Sequence, residues 1–178
     1  MKPSEFVTAY LPFAKQTEKK TGISSIAILA QAALESGWGV HAPGNMFFGV
    51  KDFDGVNNNE QLLTTFEFSK INNLTPQQIG LFDIEKIEPK TINGEKFFKY
   101  TGRAYFKKYN SPEESFTDHA NVFLKTKLKG GNLRYAKALA VKEDPEKFVQ
   151  AIAAAGYAQS PTYGDLLVSI IKTIRKFV

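Results

Sequence analysis

The stretch AILAQAALESGWG, residues 27–39, constrains this chain more than any other. At about 100° per residue, Ile26, Leu29, Ala30, Ala32 and Ala33 cover most of a helix's circumference. Only a narrow polar stripe is left, shared by Gln31 and Glu35 four positions apart, with Trp38 close by. Such a helix belongs in the interior of a helical domain. Ser24 or Ser25 can cap its start, and Gly37 or Gly39 ends it. Buried helices avoid ionisable residues unless a partner or a function keeps them there. At Glu35 the negative end of the helix dipole and apolar surroundings both disfavour the charged form and raise the pKa. A carboxyl that holds its proton near neutral pH is the general acid that glycoside cleavage requires. From the helix alone, a glutamate that leans out to solvent or caps a local donor is the simpler account.

Around this helix the chain reads as α+β, mainly α. Phe6, Tyr10, Phe13 and Ala14 recur at helical spacing from residue 4 to about residue 20, with Pro12 as an expected kink and Gly22 as the stop. From about 51 to 109 the pattern turns strand-like. EQLLTTFEF alternates, placing Leu62, Thr64, Phe66 and Phe68 on one side and Leu63, Thr65 and Glu67 on the other. The two phenylalanines are expected to take the core side and Glu67 the open side. In TINGEKFFKY, Asn93-Gly94 signals a hairpin, and LTPQQIGLFDIEKIEP has room for one helical turn. Helices then resume. SPEESFTDHANVFLKTK opens with Ser111, Pro112 and Glu114 in capping-box order, with Phe116, Ala120, Phe123 and Leu124 as its buried stripe. DPEKFVQAIAAAG repeats the design with Asp144, Pro145 and Gly156, and a last helix runs from about 162 to 177. The expected architecture is a single domain over 1–178: a helical lobe (about 1–50 and 110–178) and a small β-hairpin lobe (about 51–109) flanking a cleft.

Composition narrows the chemistry. Cysteine is absent, which excludes disulfides, thiolate metal sites and cysteine nucleophiles. The two histidines, His41 and His119, are far apart, so neither a metal site nor a Ser-His-Asp triad is expected, and no cofactor. KDFDG begins like a calcium loop, but its later ligand positions are misplaced. The net charge of +5 favours an anionic partner, nucleic acid or a bacterial wall, beside the plain reading of a basic soluble domain. KYTGRAYFKKY interleaves basic and aromatic residues as single-strand binders do, yet a sugar-binding strand fits equally, and no nucleic-acid partner is expected. No apolar run reaches the roughly 18–20 residues of a membrane span, and no signal peptide is read at the start.

Four stretches in order, ILAQAALESGWG, GNMFFGVK, NLRYAKAL and AGYAQSPTYGDLL, resemble the glucosaminidases of glycoside hydrolase family 73 from about Ile28 to the end. That family includes flagellar rod-type wall hydrolases, autolysins and phage lysins. The resemblance implies a lysozyme-like fold and cleavage of peptidoglycan between N-acetylglucosamine and N-acetylmuramic acid. Glu35 matches the catalytic acid, while Trp38, Asn45 and Phe47 match positions that shape the substrate site. Tyr157 matches a tyrosine near the cleaved sugar, although Gln159 and Ser160 replace the usual Thr-Asp pair. Tyr163 matches a second tyrosine, read as structural. The second carboxylate is Glu67 if one gap is allowed in LLTTFEF, with Glu60, Asp52 and Asp54 as competitors; the substrate's own acetamido group could serve instead.

The resulting expectation is an endo-β-N-acetylglucosaminidase, a bacteriolytic hydrolase acting as a monomer on glycan strands without membrane insertion. With no signal peptide, it would be phage-delivered as an endolysin or carried out by a dedicated export system. Rivals are a lytic transglycosylase or muramidase on the same fold, and a wall-binding or virion-structural module without turnover. The intact ALES element speaks against the last.

Overall fold

The computed structural model describes residues 1–53 and 58–178 and divides into two compact units: Met1–Phe48 with Tyr109–Val178, and Gly49–Lys108. The expectation of a mainly helical chain with a small sheet holds.

The first unit packs α1 (Pro3–Thr21), α2 (Ser25–Glu35), α4 (Pro112–Lys125), α6 (Pro145–Ala154) and α7 (Tyr163–Ile174) around one core, with the single turn α5 (Ala136–Leu139) beside α6. Helix α1 runs through Pro12 without interruption. In α2, Ala27, Ala30, Ala32 and Ala33 are essentially inaccessible. Their small side chains let α1 and α7 pack closely on α2, and larger residues between them fill the space: Phe6, Leu29, Phe47, Phe116, Phe148, Leu167 and Ile171 are all buried. Truncating one such side chain, Leu29→Ala for instance, costs about 2–5 kcal/mol. The expected caps form: Ser111 accepts from the Glu114 amide, and Asp144 from the Lys147 amide.

The second unit is a three-stranded antiparallel sheet in the order β1 (Glu60–Ser69), β3 (Glu95–Lys107), β2 (Asp83–Ile92), with the single turn α3 (Pro76–Ile79) between β1 and β2. Asn93 and Gly94 form the two-residue turn between Ile92 and Glu95, both with positive φ (51° and 80°), as a primed hairpin turn demands. Gly102 is fixed by contact: a Cβ there would lie 2.1 Å from the Asp83 carbonyl oxygen, beside the bulge between Ile84 and Lys86. Tyr100 is the central buried side chain, its hydroxyl donating to the Ile71 carbonyl and accepting from the Leu74 amide.

The alternation along β1 is as read, but its sidedness is the reverse of the expectation. Phe66 and Phe68 are 52% and 42% exposed, while Leu63, Thr65 and Glu67 are half-buried. The cause lies on β3. Tyr100, Ala104 and Phe106, the cross-strand partners of Glu67, Leu63 and Gln61, are buried and commit that face to the interior. On the other face the two phenylalanines pack edge to face, and the Lys99 ammonium lies 4.4 Å above the Phe66 ring.

Candidate active site

The C-terminus of α2 sets the geometry of the site. Gly37 (φ 58°) donates its amide to the Leu34 carbonyl, and the Trp38 amide donates to the Ala33 carbonyl at 2.7 Å. This pair of bonds is a Schellman cap, which needs a left-handed residue at Gly37 and places Trp38 immediately beyond it. Ser36 locks the turn from below: its hydroxyl donates to the Ala32 carbonyl and accepts from the Gly39 amide. The end of α6 is built alike. Gly156 (φ 75°) donates to the Ala153 carbonyl, and the Tyr157 amide to the Ile152 carbonyl. ESGW and AAGY are thus one device used twice, each presenting an aromatic residue just past a helix stop.

Glu35 is the last residue of α2, and although the helix is buried the glutamate itself is exposed. Ligand can therefore reach it. The Tyr163 hydroxyl donates to Glu35 Oε1 at 3.2 Å, and Gln31 Nε2 donates to that same hydroxyl oxygen at 3.3 Å. The polar stripe seen in the sequence is thus closed into a relay, with Gln31 and Glu35 on one helix bridged by a tyrosine from α7. Partial loss of water around the carboxyl on its protein-facing side raises the Glu35 pKa above the ordinary carboxylate value, and the Tyr163 bond opposes the rise in part. Burial also raises the pKa of Tyr163 and of Tyr157, with the Glu35 charge adding to both. Both phenols stay protonated.

Tyr157 is half-buried, 5.5 Å from the Tyr163 ring centroid, and its hydroxyl approaches His119 Nε2 at 3.5 Å. His119 is buried and stacked on Phe48 at 3.7 Å, and burial pushes its pKa down to about 3 despite the adjacent Asp118 charge. It forms a buried wall behind Tyr157. Among the described residues no cluster of histidines and carboxylates could hold a metal.

Trp38 is half-buried and lies edge-on to Phe6, with 5.5 Å between ring centroids. Asn45 (φ 57°) donates from its amide to the Tyr109 carbonyl at 3.0 Å, while the Tyr109 amide donates to the Gly44 carbonyl. Its side chain thereby ties the loop after α2 to the chain entering α4. Phe47 requires a correction. It is 2% exposed and packs edge to face on Tyr10 and Phe116, so its ring holds up the loop and cannot contact a ligand.

In the second unit, Glu67 accepts from the Lys51 ammonium, which also donates to the Gly80 carbonyl at 2.8 Å. Glu60 and Asp52 lie in the same unit, at the start of β1 and just after the Lys51–Phe106 bridge. Asp54, and with it the end of KDFDG, falls outside the described residues. The roles of Tyr163 and His119 in this site were not legible beforehand. The first is far from Glu35 in sequence, and the second carried no signal beyond its residue type.

The family model described as mannosyl-glycoprotein endo-beta-N-acetylglucosaminidase matches residues 11–176. The peptidoglycan hydrolase FlgJ of Vibrio parahaemolyticus is 28% identical over 172 residues, covering 97% of this chain and 47% of that protein. The exo-glucosaminidase LytG of Bacillus subtilis is 30% identical over 158 residues, covering 87% and 45%. The chain thus spans less than half the length of these relatives. Among solved structures, a C-terminally truncated glycoside hydrolase domain from Salmonella typhimurium FlgJ superposes with a TM-score of 0.69 at 26% identity, covering 99% of this chain and all of that one. A peptidoglycan hydrolase mutant from Sphingomonas sp. A1 superposes with a TM-score of 0.63, also at 26% identity, covering 98% and 97%.

Proposed function

Because the chain belongs to the glucosaminidase family, we propose that it hydrolyses the β-1,4 bond from N-acetylglucosamine to N-acetylmuramic acid in peptidoglycan. Glu35 is the general acid in this reading. The observation that carries it is the Gln31–Tyr163–Glu35 relay at the end of α2. A carboxyl with a raised pKa, reachable by ligand and oriented by a phenol, suits proton delivery to a leaving glycosidic oxygen. Tyr163 engages Oε1 and so leaves Oε2 to face the substrate. Trp38 and Tyr157 offer ring surfaces for sugar, and Asn45 holds the loop that follows Trp38.

Glu67 serves as general base in the same reading, activating the water that attacks the anomeric carbon, with Lys51 fixing its orientation. The protein acts on the bacterial wall as a monomer. No helix among the described residues is long and apolar enough to cross a membrane.

Digestion of purified peptidoglycan, borohydride reduction and mass spectrometry of the fragments test the reading. Reduced N-acetylglucosamine ends are expected. Reduced muramic ends would make the enzyme a muramidase, anhydro ends a lytic transglycosylase, and no release of fragments a module without turnover.

A further inference from the structure

The second unit contains a pocket of about 450 Å³, formed wholly within Gly49–Lys108. Its size falls in the range of about 300–1,000 Å³ typical of small-ligand sites. Three exposed aromatic rings stand around it: Phe53, Phe82 and Tyr105, respectively 80%, 53% and 40% accessible. Leu81 and Ala104 are buried beneath and make its floor, and the side chain of Gln77 is exposed at its edge. Phe82 and Tyr105 meet nearly at right angles, with centroids 5.2 Å apart and an interplanar angle of 78°, so they form a corner and not a flat plate.

Rings left this exposed cost solvation unless something covers them, and the lining limits what that can be. The only ionisable side chains among the lining residues described are a carboxylate, Asp52, and the phenol of Tyr105. No cationic side chain is among the described lining residues; the Lys51 ammonium, on the Gly80 carbonyl, and the Arg103 guanidinium, 6.0 Å from the Phe82 ring centroid, lie just outside it. An apolar floor and corner with polar groups at the edge suits an uncharged ring that has apolar C–H faces and an equatorial rim of hydroxyl and amide groups. The pocket also reaches Gly80, whose carbonyl accepts from the same Lys51 ammonium that holds Glu67.

We propose that this pocket binds an N-acetylated hexosamine ring of a glycan strand. The pyranose C–H face lies on Phe82 or Tyr105, the acetamido methyl on Leu81 and Ala104, and the acetamido N–H or a hydroxyl at the Gln77 amide. This assignment rests on the reading of the chain as a glycan hydrolase and adds a place where the strand is gripped apart from Glu35. It requires nothing to react in the pocket.

The test uses the full chain carrying Glu35→Gln, so that ligand survives, and titrates it with the β-1,4-linked tetramer of N-acetylglucosamine while following backbone amide resonances. The expected result is saturable shifts at residues 77, 80–82 and 104–105. Phe82→Ala and Tyr105→Ala, both at exposed positions, should each weaken the dissociation constant read from those shifts by about tenfold. Shifts confined to residues around Glu35, no shifts, or unchanged affinity in both folded variants would overturn the proposal. The wild-type digestion of peptidoglycan is scored separately: reduced N-acetylglucosamine ends alongside a silent pocket would remove the pocket and leave the enzyme, whereas absence of cleavage would remove the functional reading itself.

Discussion

Tyr163 donates its hydroxyl hydrogen to Oε1 of Glu35 across 3.2 Å while accepting from Gln31. The direction matters. A phenol that already accepts from an amide has its own hydrogen free for the carboxylate, and the bond favours the ionised form of Glu35. The site therefore sets two opposed influences on one carboxyl: desolvation, the larger, raises its pKa, and Tyr163 restrains the rise.

Tyr163→Phe removes the restraint and leaves the ring in place. The Glu35 pKa then rises further, and a general acid stays protonated to higher pH. The alkaline limb of the pH–rate profile should move upward, while the rate on the plateau falls because the carboxyl loses its orientation. An alkaline limb that moves downward, or does not move, would show that Glu35 is not the group being titrated.

His119 gives a stability prediction of definite sign. Its pKa is about 3 in the fold and about 6.5 when unfolded. Between these values the unfolded chain binds a proton that the native chain refuses, so the histidine's contribution to stability is intact above about 6.5 and is lost as pH falls toward 3. His119→Phe keeps a ring against Phe48 and removes the titrating group. Urea unfolding at pH 6.5 and pH 5 should show a smaller loss of stability on acidification for the variant than for the wild type. Equal losses would mean that His119 is protonated in the fold.

Gly37→Ala forces a Cβ into the left-handed region at φ 58°, where it would also lie 3.3 Å from the His41 ring. The backbone cost is about 1–2 kcal/mol. Denaturant unfolding should register that loss with an unchanged m-value, and turnover should fall further than stability alone explains, because the cap aims the residues on either side of it. Full activity would separate the cap from the chemistry.

How far the sequence foretold this molecule follows the range of the interactions involved. The buried helix, its glycine stop and the Asn93-Gly94 hairpin were legible because helical period, left-handed caps and primed turns are written in adjacent residues. Strand β2 was not read at its full length: it is an edge strand with Pro89 and many charges, and so it lacks an apolar face. Alternation gave the two faces of β1 but not which one is buried, since Tyr100 and Phe106 on β3 decide that. Phe47 was misplaced because a motif phenylalanine reads the same whether it packs or binds. The bond from Tyr163 to Glu35 spans 128 positions, and no local pattern announces it.

The second carboxylate is decided by comparison. Glu67→Gln, Glu60→Gln, Asp52→Asn and Asp54→Asn, assayed on one wall preparation, should rank with Glu67→Gln as the most damaging, by about 10²- to 10⁴-fold if it is a general base. Lys51→Met should reproduce part of that loss by releasing the carboxylate. If Glu67→Gln is the mildest of the four, the base lies elsewhere. If all four retain activity, the substrate's acetamido group takes the role.

The most direct measurement of the central claim is the turnover of purified peptidoglycan by Glu35→Gln, with its fold verified by an unchanged unfolding midpoint or a higher one. Removing a general acid from a glycosidase is expected to cost about 10²- to 10⁴-fold in kcat, with binding of wall fragments retained. Because the amide oxygen introduced by this substitution can still accept from Tyr163, the relay's geometry survives and only the proton is lost. Near-wild-type turnover by this folded variant would contradict the assignment of Glu35 as the acid.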